Sequence, residues 1–388
     1  MIRTGPFCPH FPNCVGCSLS GHAYGEQLRI KRERVVEALH RFPALAALEV
    51  PPVIGSPRAF GYRNQAKLVV RQARRGLLLG IYRPGSHQVV DIRQCAVHHP
   101  LINQVIEALA RAVERLRIPI CDERDQTGVL RYVVVRVSSW TKQAQVILVT
   151  RERALPQVRA LARELRKVRG VASIVQNVNP DPGNVILSPT FIPLTREVAL
   201  VERVGALKLK TNAGAFLQAN IPVARKLYEH AANLLAPQAH EIGVDLYCGV
   251  GALTFHLAMA AKLVIGVEES PIAIGNAKEN TRLNGFHNVR FRCGVSAEEL
   301  PRVARQLPSL DCLTLNPPRK GADEQTRAAI VAAGPQRIVY ISCDPHTLAC
   351  DLDWFSTRGY DPVHVQPFDL LPQTDHVECV VSLIRHAS

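Results

Sequence analysis

Apolar positions change character part-way along the chain. Between residues 50 and 206 they follow two periods: segments 66–71, 77–82, 131–137 and 145–150 read as strands, whereas 103–116 and 155–168 repeat at helical spacing. Ahead of them, 24–42 predicts a helix with Leu28, Val35, Val36, Leu39 and Phe42 on one side and Arg29, Lys31 and Arg32 nearby. From about residue 207, short β-rich runs alternate with helical stretches, the signature of βαβ units around a parallel sheet. The predicted strands there are 244–247, 263–267, 289–293, 312–315 and 338–342, and a last extended run, 377–384, is expected at or near the sheet edge. Ser270-Pro271 predicts a helix start, a capping residue followed by proline in the first turn, and Gly285 predicts its stop.

This pattern divides the 388 residues into a cysteine-rich segment leading into a central α+β domain (1–100), the remainder of that domain (101–206) and an α/β domain (207–388). Charge follows the same division. Residues 1–200 hold 29 basic and 14 acidic side chains, and residues 201–388 hold 18 and 19. The first half is therefore expected to attract a polyanion, with Arg58, Arg63, Lys67, Arg71, Arg74 and Arg75 as its densest basic stretch. The longest apolar stretch, 244–267, contains Asp245, His256 and Lys262 and is broken by Gly249 and Gly251, so no membrane span is expected. No export signal opens the sequence, which predicts a cytoplasmic protein. Eleven cysteines, an odd number, then point to metal binding or thiolate chemistry and away from a disulfide framework. Cys8, Cys14 and Cys17 are spaced C-x5-C-x2-C, with Cys95 much later; by chemistry alone four thiolates suit zinc as well as an iron–sulfur cluster.

Two sets of residues carry candidate chemistry. Val244-Asp245-Leu246-Tyr247-Cys248-Gly249-Val250-Gly251 is a strand running into a glycine turn, and Glu268 closes the next strand, where a carboxylate can accept from both ribose hydroxyls. Only two glycines occur, so a nucleoside ligand without pyrophosphate, such as S-adenosylmethionine, fits better than a dinucleotide. The second set lies at later strand ends. Asn316-Pro317-Pro318-Arg319 follows one strand; Arg319 stands where amino-methylating enzymes commonly place an aromatic residue. Ser342-Cys343-Asp344-Pro345 follows the next, and a thiol at a helix start is expected to have a lowered pKa. Cys248, Cys293, Cys312, Cys350 and Cys379 read as buried apolar residues. In the loop entering the last strand, His376 or Glu378 could act as a base.

Taken in order, Phe60-Gly61-Tyr62-Arg63-Asn64, residues 86–95, Phe216-Leu217-Gln218, residues 245–251, 316–319, 342–347 and 368–378 resemble the RNA uracil-5-methyltransferase family. The resemblance implies a Rossmann-like class I methyltransferase domain with a mostly parallel seven-stranded sheet, preceded by an α+β domain that binds RNA and carries an iron–sulfur cluster. It implies S-adenosylmethionine held by Gln218, Tyr247, Gly249, Glu268 and Asn316, and a [4Fe-4S] cluster on Cys8, Cys14, Cys17 and Cys95. It further implies Phe216 stacked on a flipped base, Cys343 as the nucleophile at uracil C6 and Glu378 as the base at C5. Asn316, where other branches have Asp, and the lack of a β-barrel domain before Cys8 are similar to the ribosomal branch, which implies 5-methyluridine in 23S rRNA made by a monomer. A tRNA substrate is the alternative within the class, and a non-catalytic, cluster-bearing RNA-binding protein is the alternative outside it. Asp344 stands where relatives often have Asn, a like charge expected to disfavour the thiolate. Val295 and Ser296 stand where they often have an acid facing the adenine.

Overall fold

The computed structural model describes residues 8–386, apart from Arg75, Glu123, Arg124, Gln126 and Asn184. Arg75, part of the expected RNA path, therefore lies outside the described residues. The chain forms two compact units: one from the described residues of Met1–Ser20 with Arg58–Glu202 and Thr211–Gly214, the other from Gly21–Pro57, Arg203–Lys210 and Ala215–Ser388. Contiguous blocks were the simplest expectation, but Gly21–Pro57 joins the C-terminal unit. The cause lies in the helix Tyr24–Leu39, whose buried Val35, Ala38 and Leu39 share a core with Leu352 and Phe355 of the helix Pro345–Ser356. That first helix stops short of Phe42, because Pro43 forces Phe42 into extended backbone.

The first unit is built on a sheet ordered Val89–Asp91, Gly76–Tyr82, Gln65–Ala73, Leu130–Val137, Ala144–Thr150, Val171–Val178, Phe191–Pro193. Its pairings are antiparallel except that of Ala144–Thr150 with Val171–Val178, which the helix Val158–Arg166 connects. The four strands expected here are present.

In the second unit the seven strands run Val289–Cys293, Leu263–Glu268, Ile242–Leu246, Cys312–Leu315, Arg337–Ser342, Glu378–Arg385, Tyr360–Phe368. The first five are mutually parallel, and Glu378–Arg385 runs antiparallel to both of its neighbours, giving the mostly parallel Rossmann-like sheet expected. Alternate residues feed two cores: Ile338 and Tyr340 enter one, Val339 and Ile341 the other. Both faces are thus covered, which explains runs that are apolar throughout. Strand order reverses between Ile242–Leu246 and Cys312–Leu315, the switch point beside which open α/β sheets bind ligands. Tyr360–Phe368 was not anticipated: Pro362 and Pro367 interrupt its alternation, and only an edge strand tolerates them. The final strand consequently sits one place in from that edge. Among the described residues no helix is long and apolar enough to cross a membrane.

Candidate active site

The first half of the site is the turn that leaves the strand Ile242–Leu246. Tyr247, Gly249 and Gly251 all take positive φ, at 59, 56 and 88°. A side chain on Gly251 would strike Phe255 at 2.8 Å and Phe291 at 3.0 Å, while the space around Gly249 is open. Glu268 Oε2 accepts from Gly249 N (3.1 Å) and Oε1 from Ser270 N (2.9 Å), so both oxygens are held while keeping lone pairs for further donors. Beneath the turn, Thr254 and Thr314 hydroxyls donate to Asp245 at 2.6 and 2.7 Å; burial still pushes that carboxyl up to about 6. The Tyr247 hydroxyl donates to Thr326 (3.4 Å). An open glycine turn beside a fixed carboxylate fits the nucleoside end of S-adenosylmethionine.

The second half gathers at the adjoining strand ends. Ser342 pairs with Cys379 as the last pair between these two strands; Cys343 follows the one strand and Glu378, still paired with Phe368 on its other side, opens the other. Burial is the main cause that pushes Glu378 up to about 7, opposed by the charge of Arg319. Cys343 is pushed up to about 11 by burial first and then by Glu378, with Arg319 opposing and Asp344 adding to the rise. This corrects the expectation of a lowered thiol pKa. The helix Pro345–Ser356 does begin there, but its first free amides, His346 N and Thr347 N, donate to the Asp344 carboxylate at 2.9 and 3.1 Å, so the cap absorbs them. The like-charge effect expected of Asp344 is present, as a minor cause.

Arg319 is the residue that sequence reasoning undervalued. It counted as a departure from an aromatic pattern, yet its charge acts on both Cys343 and Glu378, and its Nη2 donates to His376 Nε2 at 3.1 Å. His376 is thereby an acceptor at Nε2, engaged and shifted down by burial and by Arg319, which leaves Glu378 as the base candidate of the two. Asn316 follows the strand Cys312–Leu315, its backbone N donating to Leu246 O at 3.4 Å, which sets it beside the glycine turn's strand. Gln218 is buried and bonded to Tyr228, whose hydroxyl in turn feels Glu378 and Asp245. Phe216, two residues earlier, is 62% exposed, unusual for a large apolar ring and suited to stacking on a base. Val295 is exposed and Ser296 starts the helix Ser296–Ala304 as a buried residue bonded to Tyr247. Of the cysteines expected in the core, Cys248, Cys312 and Cys379 are buried. Cys293 and Cys350 are exposed, the first ending an edge strand and the second on the outer face of its helix.

Cys8, Cys14, Cys17 and Cys95 lie together in the first unit. Burial pushes Cys17 up to about 12, and Cys95, Cys14 and Cys8 add to the rise, so the four thiols are neighbours. Arg63 opposes the shift. Among the described residues no three His, Cys, Asp or Glu side chains are arranged as a metal-ligand group.

Comparison with known proteins decides the family. The tRNA (uracil-5-)-methyltransferase family matches residues 23–386. The chain belongs to that family. An RNA methyltransferase of Geobacter sulfurreducens is 41% identical over 98% of this chain and 77% of its own, and one from Halalkalibacterium halodurans is 38% identical over 97% and 82%. The structure of the tRNA (uracil-54, C5)-methyltransferase of Pyrococcus abyssi, in complex with S-adenosyl-L-homocysteine, matches with a TM-score of 0.76 at 26% identity, covering 96% of this chain and 86% of that one. This methyltransferase therefore uses S-adenosylmethionine and methylates RNA at uracil C5.

Proposed function

We propose that the enzyme forms 5-methyluridine in 23S rRNA, with Cys343 as nucleophile and Glu378 as base. The observation that supports the roles is that Cys343 and Glu378 flank the Ser342–Cys379 pair at neighbouring strand ends, where Glu378 acts on the thiol and Arg319 acts on both. Uracil C5 is too weak a nucleophile to take a methyl group unaided. Cys343 forms a bond to C6, which makes C5 nucleophilic; S-adenosylmethionine supplies, when bound, the electrophilic methyl group that C5 acquires. Glu378 then takes the C5 proton, the C5–C6 double bond re-forms and the thiolate leaves. Tyr247, Gly249, Glu268, Gln218 and Asn316 hold the cofactor, and Phe216 stacks on the extruded base. Asn316 supports the ribosomal target. A specific observation favours the second reading, a tRNA uridine: the Pyrococcus abyssi enzyme is named for tRNA. Incubating the enzyme with 23S rRNA and with unmodified tRNA, then quantifying 5-methyluridine by nucleoside mass spectrometry, separates them. Product in 23S rRNA alone is expected; product in tRNA alone would overturn the choice of target. The proposal has the protein act in the cytoplasm, as a monomer with nucleophile and base on one chain.

The pKa directions give a pH signature. A thiol near 11 is mostly protonated at neutrality, so kcat/KM, which reports the free enzyme, should climb steadily between pH 7 and 9. Asp344→Asn keeps a helix-capping side chain and removes a like charge, so Cys343 should titrate lower. Alkylation of Cys343, followed by mass spectrometry against pH, reads this directly; an unchanged profile would show that Asp344 does not tune the thiol.

Cys8, Cys14, Cys17 and Cys95 are proposed to hold a [4Fe-4S] cluster, supported by their proximity and by the donor set. Its role is to tie residue 8 to residue 95, closing a long loop. Anaerobic protein should be brown, and changing any one of the four to Ser should cost its iron; stoichiometric zinc in the wild type would refute the cluster. The first unit is proposed to track RNA. Replacing Arg74, exposed after the strand Gln65–Ala73, together with Arg75 by Ala should lower the log–log salt slope of RNA binding by ~0.7 per lost phosphate contact. Affinity for S-adenosylhomocysteine should not change; an unaltered slope would place the RNA path elsewhere.

A further inference from the structure

The helix Tyr24–Leu39 carries a feature that neither cofactor binding nor the thiol chemistry uses. Tyr24, Gln27 and Lys31 stand three and four residues apart, on one face, and Gln27 and Lys31 are buried polar side chains. All three reach the same segment, the loop that connects the last two strands and ends at Glu378. Lys31 Nζ donates to Asp369 Oδ1 at 2.5 Å and to Leu371 O at 3.1 Å; both charged side chains are fully buried. The Tyr24 hydroxyl donates to Asp369 Oδ2 at 2.8 Å and accepts from Ser56 N at 2.7 Å. Gln27 clasps Gln373, accepting from its backbone N at 2.9 Å and donating to its side-chain oxygen at 3.2 Å. One turn on, Arg34 donates to Asp375 O and Oδ2 at 2.6 and 2.5 Å. From another direction, Asn220, just after Gln218, donates to Leu370 O at 3.2 Å.

The loop needs this help. Phe368 pairs with Glu378 as the terminal pair of the antiparallel ladder, the place where a hairpin frays, and the residues between them form no strand or helix. Gln373 takes a positive φ of 72°, a conformation that a non-glycine residue keeps only when its surroundings impose it. Buried backbone groups in such a loop must find partners, and here side chains of the first helix supply several of them. A lysine–carboxylate pair sealed from water is a poor source of net stability, since desolvation offsets much of the attraction, but it permits very little displacement.

We propose that Lys31, together with Tyr24 and Gln27, is a positioning residue that sets the Asp369–Asp375 loop and through it the Glu378 carboxylate against the uracil C5 proton. The inference rests on the reading of Glu378 as the base. Loosening this clamp should impair proton removal and product release selectively, leaving thiol addition and methyl transfer, which use Cys343 and the glycine turn, nearly intact.

The test is a single-turnover comparison on RNA carrying 5-tritiated uridine, with wild type, Glu378→Gln and the double variant Lys31→Met/Asp369→Asn, which avoids stranding one buried charge. Three quantities are followed: covalent protein–RNA adduct, methyl incorporation and tritium released to water. For the double variant, adduct formation and methyl incorporation should stay within about twofold of wild type, while tritium release slows about tenfold and methylated adduct accumulates. That factor is modest beside the ~100-fold that a misplacement of ~1 Å can cost. A double variant slowed equally in all three steps, or unchanged in tritium release, while Glu378→Gln stalls, overturns the positioning role alone. Normal release by Glu378→Gln overturns the base assignment and the positioning role with it. Should the double variant fail to yield folded protein, Tyr24→Phe, which removes one hydroxyl, carries the test: a smaller bias of the same kind, about threefold in tritium release, supports the clamp, and unbiased kinetics reject it.

Discussion

Cys343→Ala should abolish methyl transfer while leaving cofactor affinity almost untouched. On the proposed mechanism the thiol is the group that bonds covalently to the base, and its neighbours are poorly placed to replace it: Ser342 is buried, its hydroxyl donating to Asp344 O, and Cys379 is sealed in the core. The expected loss is on the order of a millionfold, the scale reached when a covalent nucleophile is removed from a hydrolase. The glycine turn and Glu268 belong to different strands from Cys343, so affinity for S-adenosylhomocysteine should hold to within a factor of about two or three. Tritium release from 5-tritiated uridine measures the first quantity and calorimetric titration the second. Turnover retained in the variant would remove Cys343 as nucleophile; a matched loss of cofactor binding would mean that the site had collapsed.

Glu378→Gln should fail differently. Addition and methylation need no base at C5, but elimination does, so the variant should stop with methylated RNA still bonded to the protein. The charge change even favours the first step. Glu378 is the largest charged contribution that raises the Cys343 thiol, and an amide in its place lets the thiol titrate lower. Adduct should therefore form at least as readily as in wild type near neutral pH and persist on a denaturing gel, while multiple-turnover methylation falls by ~100-fold or more, the usual contribution of a general base. If Glu378 is the proposed base, elimination in the wild type requires it ionised, so release should rise with pH through about 7 and then level. Free methylated RNA from the variant, with no retained adduct, would exclude the residue as base.

Most of the catalytic unit was legible in the sequence because parallel strands buried on both faces leave continuous apolar runs, and the glycine turn, Asn316 and Cys343 each follow such a run. The turn at Gly249 and the thiol at Cys343 are thus placed by one rule, that ligands bind at the carboxyl ends of the parallel strands, and Glu378 reaches the same rim because its strand runs antiparallel. Tyr360–Phe368 escaped because its two prolines mimic a loop, and only its place at the edge makes them harmless. The thiol's pKa escaped because the local motif suggests a bare helix terminus, whereas Asp344 takes the amides and burial dominates. The partnership of Lys31 with Asp369 spans 338 residues of sequence and has no local signature: a lysine beside arginines on a helix reads as a solvated face until the fold buries it.

The covalent route through Cys343 is most directly tested with RNA that carries 5-fluorouridine at the target position, incubated with S-adenosylmethionine and resolved on a denaturing gel with intact-mass analysis. Fluorine at C5 cannot be taken up by Glu378 as a proton can, so addition and methylation should go forward and elimination should not. The expected result is a stable complex whose mass is protein plus RNA plus one methyl group, formed by wild type and absent from Cys343→Ala. Methylation of ordinary uridine RNA by a wild-type enzyme that forms no such complex, or the same complex formed by Cys343→Ala, would contradict it.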